Sequence, residues 1–86
     1  MRRDPEFFGD QELALIYIAK RLKEALKLEA QLTEAGVDYH VEADKYAGGI
    51  IFRTERVGAF FYVAQQDVEA ARAVLVRHGY IPYEEK

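Results

Sequence analysis

The chain has 86 residues, of which 50% are apolar and 31% are charged, and its formal net charge is −3 at pH 7. This length fits one domain with a single core, and the composition is that of a globular protein outside the membrane. Cysteine and serine are absent from the sequence, which excludes disulfides, thiolate metal sites and both nucleophiles. Nonspecific nucleic acid binding needs clustered basic charge, so the acidic balance argues against a nucleic acid partner. We expect a cytoplasmic protein without a cofactor.

The first twelve residues are predicted to form an arm ahead of a single domain over residues 13–86. Turn-forming residues surround the apolar pair Phe7 and Phe8 in this arm. The next segment, Leu13–Ala19, is apolar on both faces, as in a strand buried on both sides. Because both faces are apolar, we predict a central strand. The segment is too short to span a membrane as a helix.

Two amphipathic helices are predicted from apolar residues that recur at helical spacing. The first covers Lys20–Ala35 and ends at Gly36, because glycine readily takes the left-handed conformation that follows a helix end. The second is capped by Gln66 or Asp67, and Gly79 ends it by the same argument.

Three strands are predicted between and after these helices. Apolar and polar residues alternate strictly over Val37–Asp44, which is typical of an edge strand with one wet face. The segment Lys45–Gly49 is predicted to be the connection to the next strand. Ile50–Arg56 and Ala59–Ala64 both resemble strands, and Gly58 between them is either a bulge in one bent strand or part of a turn.

A short last strand is predicted over Tyr80–Tyr83, at a sheet edge because Pro82 cannot donate to a ladder. The element order is then β-α-β-β-α-β. This order predicts an α+β, ferredoxin-like two-layer sandwich, with an antiparallel sheet and two helices on one face.

Two polar clusters are candidate ligand sites. His40 and Glu42 share a strand face and could supply two metal ligands, but a structural metal site needs four, so we predict a solvated face and no metal site. Candidate ligands of a small anion follow the second strand, where flexible glycines lie near guanidinium groups. These candidates are Gly48, Gly49, Arg53 and Arg56.

Aromatic residues in two strands suggest an alternative function. Tyr17 and the run Ala59–Val63 are similar to the two aromatic strand submotifs of the RNA recognition motif. The match is incomplete, since Lys20 stands where that family usually has asparagine. A single-stranded RNA-binding domain is one alternative, and an enzyme subunit with a site at Arg53 and Arg56 is another.

An apolar sheet face is expected to need a cover, because helices bury only one face of a sheet whose central strands are apolar on both. We predict a homodimer through this face, or the arm as an intramolecular substitute. The candidate interface residues are Phe7, Phe8, Tyr17, Phe60, Phe61 and Tyr62.

The first helix and its exit carry Glu24, Ala25, Leu28, Leu32 and Ala35–Val37, and the second half carries Phe61–Val63, Gln66–Arg72 and Leu75. Over Ile16–Gly79 this pattern resembles a family of small bacterial domains, the prokaryotic signal-transducing proteins. The resemblance implies a ferredoxin-like domain and supplies no catalytic residues. We therefore expect a small, non-enzymatic regulatory or interaction module that acts in signal transduction by binding a small ligand or a protein partner.

Overall fold

The computed structural model describes residues 1–48 and 54–84, and over these residues the chain is α+β, as predicted. They form a three-stranded antiparallel sheet and two α-helices. The strands are β1 (Leu13–Ala19), β2 (His40–Gly48) and β3 (Thr54–Ala64), the helices are α1 (Leu22–Glu34) and α2 (Val68–Arg77), and short 3-10 helices cover Pro5–Phe8 and Gln65–Asp67. Neither α-helix in this part of the chain has the length and apolar character needed to cross a bilayer.

The central strand is β3, and the strand order is β1-β3-β2. Residues 80–84 run beside the outer edge of β1 without forming a strand, which differs from the prediction for Tyr80–Tyr83. One backbone hydrogen bond joins them to the sheet, from the amide of Tyr83 to the carbonyl oxygen of Ile16 at 2.7 Å. The tail thus lies against the edge where a fourth strand was expected.

Both helices end at the glycines that were predicted to end them. Gly36 and Gly79 have φ values of 77° and 84°, and a side chain there would be strained. The first helix begins at Leu22, two residues later than predicted, and buries Ala25, Leu28 and Leu32 against the sheet.

The core lies between the helices and one face of the sheet. Phe61 and Val63 of β3 have no exposed surface there, so Phe60 and Tyr62 face the opposite side. The largest side chains with less than 2% exposure are Tyr39, Phe61, Ile16, Leu28, Leu32, Leu75 and Val63.

A β-bulge interrupts β1. Leu15 pairs with Tyr62 and Tyr17 pairs with Phe61, so Ile16 is an extra residue between two consecutive pairs. Ile16 belongs to the core and Tyr17 packs against it, so both face the helices. Strict alternation had predicted opposite faces for these two residues.

Gly58 lies within the continuous strand β3 and is neither a bulge nor a turn, which corrects both alternatives. It pairs with Asp44 in an uninterrupted ladder. The ladder continues to the pair Gly48–Thr54, so β2 runs through most of the segment predicted as a connection. Residues 49–53, which include the predicted start of the next strand, lie outside the described residues.

The arm crosses the sheet on the face away from the helices. It starts at the β2 edge, where the amide of Arg3 donates to the carbonyl oxygen of Tyr39 at 2.7 Å, and it reaches β1 on the far side at Leu13. His40, on the face opposite the helices, has its Nδ1 3.1 Å from the carbonyl oxygen of Arg3. Phe8 is 4% exposed yet is not part of the helix-side core, so it is buried against the opposite face. The arm therefore supplies the cover that we expected from either the arm or a second copy.

Candidate functional site

The predicted anion ligands lie only partly within the described residues. Gly49 and Arg53 fall outside them. Gly48 pairs with Thr54, and Arg56 is an exposed residue that pairs with Tyr46. Both candidates that the structure describes therefore belong to the β2–β3 ladder.

His40 and Glu42 do share one sheet face, but the face at His40 is not solvated as predicted. The side chain of His40 is 12% exposed, and that of Glu42 is 54% exposed. A carbonyl oxygen can only accept, so His40 Nδ1 donates to Arg3 and the arm accounts for the difference. The remaining nitrogen, Nε2, lies 3.4 Å from a carboxylate oxygen of Glu42.

The described residues do not bring an enzyme-like cluster together around Arg56. Arg56 lies opposite Tyr46 and Tyr62 lies opposite His40, six positions apart along the ladder. This spacing separates the Arg56 and His40 backbones by about 20 Å. Across the described part of the chain, no three histidine, aspartate or glutamate side chains are grouped to hold a metal ion.

The aromatic candidates are divided between the two faces of the sheet. Tyr17 faces the helices, whereas Phe60 is 9% exposed on the opposite face, beside Tyr62. They do not form the shared exposed platform that RNA stacking needs. Phe61 is fully buried in the core, and Phe7 is 53% exposed on the arm.

A cleft of about 580 Å³ lies where the start of α1 approaches the end of α2 and the tail. This volume is within the usual range of small-molecule sites. No prediction from the sequence placed a site here. The residues that line the cleft are Tyr17, Arg21, Lys23, Glu24, Lys27, His78, Gly79, Tyr80 and Ile81.

Basic side chains dominate the cleft. Lys23 and Lys27 are four residues apart, so successive turns of α1 present them on one flank, and Arg21 immediately precedes the helix. All three are exposed, and none forms an ion pair with a carboxylate of the described residues. Among the residues that the structure describes, Glu24 is the only carboxylate in the lining, which leaves an excess of positive charge there in an acidic protein.

Two tyrosines form the inner wall of the cleft. The rings of Tyr17 and Tyr80 meet edge to face, with centroids 5.2 Å apart. The hydroxyl of Tyr17 donates to a carboxylate oxygen of Glu24 at 3.2 Å. Burial, with the negative charge of Glu24, raises the pKa of Tyr17 to about 12. The same two causes raise the pKa of Tyr80.

In comparisons with protein family models, with curated proteins and with solved structures, none matches this chain.

Proposed function

We propose that this protein is a small, non-enzymatic regulatory module that binds an anionic small molecule in the cleft between α1 and the tail. The observation that carries the proposal is the set of three exposed cations, Arg21, Lys23 and Lys27, around a cavity of about 580 Å³; none of them is paired with a carboxylate of the described residues. Charge-assisted hydrogen bonds from such groups are the usual means by which proteins hold phosphate or carboxylate ligands.

The tyrosine wall favours a ligand that also carries a flat ring. Tyr80 is half-buried and Tyr17 braces it from the sheet side, so the pair offers a firm aromatic surface beside the cations. Glu24 accepts from Tyr17 and can accept a further hydrogen bond from an amino or hydroxyl group of the ligand. An anion joined to an aromatic ring is the ligand class that these groups fit best.

We also propose that the domain has the ferredoxin-like β-α-β-β-α-β arrangement, with the tail in the place of the last strand. The strand order β1-β3-β2 and the hydrogen bond from Tyr83 to Ile16 support this arrangement. The resemblance to the prokaryotic signal-transducing proteins is the basis for placing the module in cytoplasmic signalling.

Titration with adenosine diphosphate, followed by amide chemical shifts, tests the ligand proposal, because this probe joins two phosphates to a flat ring. We expect shifts at Arg21–Lys27 and at His78–Ile81, and weaker binding of inorganic pyrophosphate, which lacks the ring. Lys27→Glu should weaken binding of adenosine diphosphate by about tenfold, since it reverses one of few charges that contact the anion.

The matched control is Arg56→Glu, which makes the same charge change at the site suggested by the sequence. It should leave binding of adenosine diphosphate unchanged. If Arg56→Glu abolishes binding and Lys27→Glu does not, or if the cleft amides do not shift at all, the proposal is wrong.

A further inference from the structure

The outer edge of β2 is a second surface, independent of the cleft. Only the arm pairs with this edge among the described residues, and it does so at a single position, Tyr39, whose amide and carbonyl groups both bond to the arm. In a strand, the backbone amide and carbonyl groups of every second residue point toward the same edge. The amide and carbonyl groups of Val41 and Ala43 therefore point outward as well, beyond the place where the arm turns away.

The arm leaves the edge for a clear reason. Pro5 has no amide to donate, and Pro5–Phe8 forms a 3-10 helix that carries the chain across the sheet. Val41 and Ala43 are left without a backbone partner on this side among the residues that the structure describes. Such an edge is a template for another strand.

Charge on the edge decides which strand it can accept. Glu42 and Asp44 project from the face away from the helices, and both are exposed. A neighbouring strand places its side chains directly opposite those of β2, where opposite charges stabilise and like charges destabilise pairing.

A second copy of β2 does not fit this edge. In an antiparallel two-fold pair centred on Ala43, Glu42 of one copy lies opposite Asp44 of the other. Centring the pair on Glu42, Asp44 or Lys45 sets that residue against itself. Each of these four registers places like charges opposite each other. Centring the pair on Val41 instead sets Ala43 against Tyr39, whose backbone groups already bond to the arm.

We propose that the outer edge of β2, from Val41 to Asp44, takes an extended basic segment of a partner protein as an added strand. Lysine or arginine at alternate positions of that segment pairs with Glu42 and Asp44. Small apolar residues between them lie on the helix side, next to Val41 and Ala43. Backbone hydrogen bonds supply the affinity, and the two carboxylates supply the preference for a basic strand.

Two synthetic peptides test this inference: an extended peptide that alternates lysine with valine, and a matched peptide with glutamate in place of lysine. We expect the lysine peptide to slow hydrogen exchange at the amides of Val41 and Ala43 and to bind at least about tenfold more tightly than the glutamate peptide. The double variant Glu42→Lys, Asp44→Lys should reverse this preference.

Ala43→Pro is a second test, since it removes an amide that points away from β3 and so spares the β2–β3 ladder. It should abolish binding of the lysine peptide while the variant stays folded. Equal binding of the two peptides, an unchanged preference in the double variant, or slow exchange of Val41 that depends on protein concentration without peptide would each overturn the inference.

Discussion

Tyr17 is the residue at which the bulge, α1 and the cleft meet. The extra residue in β1 turns its ring toward the helices, where its hydroxyl donates to Glu24. The phenol therefore sits in a place where a negative charge would be buried beside another negative charge. Ionising Tyr17 should cost the folded state more than the unfolded state.

This environment predicts a fall in stability at alkaline pH. The pKa of Tyr17 is about 12 in the folded protein against 10.0 ordinarily, so the folded state keeps its proton over a range where the unfolded state loses it. The contribution is fully present below 10.0 and is lost as the pH rises toward about 12. Urea unfolding across this range should show a smaller fall in the free energy of unfolding for Tyr17→Phe than for the wild type.

Tyr83→Phe is the matched control, because Tyr83 is 38% exposed and its side chain is not part of the core. It should retain the wild-type pH dependence. Equal slopes for Tyr17→Phe and the wild type would show that the hydroxyl of Tyr17 is not held as described.

At the scale of the elements, the close approach of three strands depends on Gly58. A β-carbon there would lie 3.0 Å from side-chain carbons of Ile18 and Tyr46 and 3.1 Å from the carbonyl oxygen of Ala19. The side chains can move aside, but the backbone oxygen of β1 cannot move without disturbing the sheet. This explains why glycine stands inside a strand, where it is otherwise unfavourable.

Gly58→Ala should therefore lower the free energy of unfolding by about 1–3 kcal/mol, the usual cost of forcing an extra carbon into a packed site. Val57→Ala is the control on the adjacent position, where the side chain is 64% exposed, and it should change stability little. Urea unfolding of both variants measures the difference. A Gly58→Ala protein as stable as the wild type would mean that β1 and β2 do not approach β3 this closely.

The elements that could be predicted from the sequence are those whose residue pattern is compatible with only one structure. Alternation placed Tyr39 on the core side, and glycine marked the end of α1 at Gly36. The bulge at Ile16 could not be predicted, because Leu13–Ala19 is apolar throughout and reads the same in either register. For that reason, alternation wrongly placed Ile16 and Tyr17 on opposite faces of the sheet.

The cleft was missed for a different physical reason. Its cations lie on the wet side of α1, where lysine and arginine are ordinarily solvated, and its remaining wall comes from His78–Ile81, more than fifty residues away in the chain. Only the packing of the two helices brings these segments together. The pattern of residues along the chain does not show which distant segments contact each other.

At the scale of the whole molecule, the arm covers the second face of the sheet, so that both faces bury apolar side chains. Phe8 is 4% exposed, and Phe60 beneath the same face is 9% exposed. Phe8→Asp should release the arm, because a carboxylate cannot stay buried there without a partner. The bared face should then drive self-association, which sedimentation velocity would detect as a concentration-dependent increase in mass.

Phe7→Asp provides the control for this prediction, since Phe7 is the neighbouring aromatic residue and is 53% exposed. It should sediment as the wild type does. If Phe8→Asp remains a monomer and keeps the amide of Arg3 protected from exchange, the arm is not held by Phe8, and the open face does not need its cover.

The arm also sets a kinetic property of the fold. Its hydrogen bond from Arg3 to Tyr39 joins residues 36 positions apart, yet the β1–β3–β2 ladder is complete without it. Partial opening can therefore detach the arm while the remaining structure persists, as in the sub-global unfolding units of other small domains. How often an apolar surface meets another molecule will depend on the fraction of time spent in this open state. The static exposed area does not determine it.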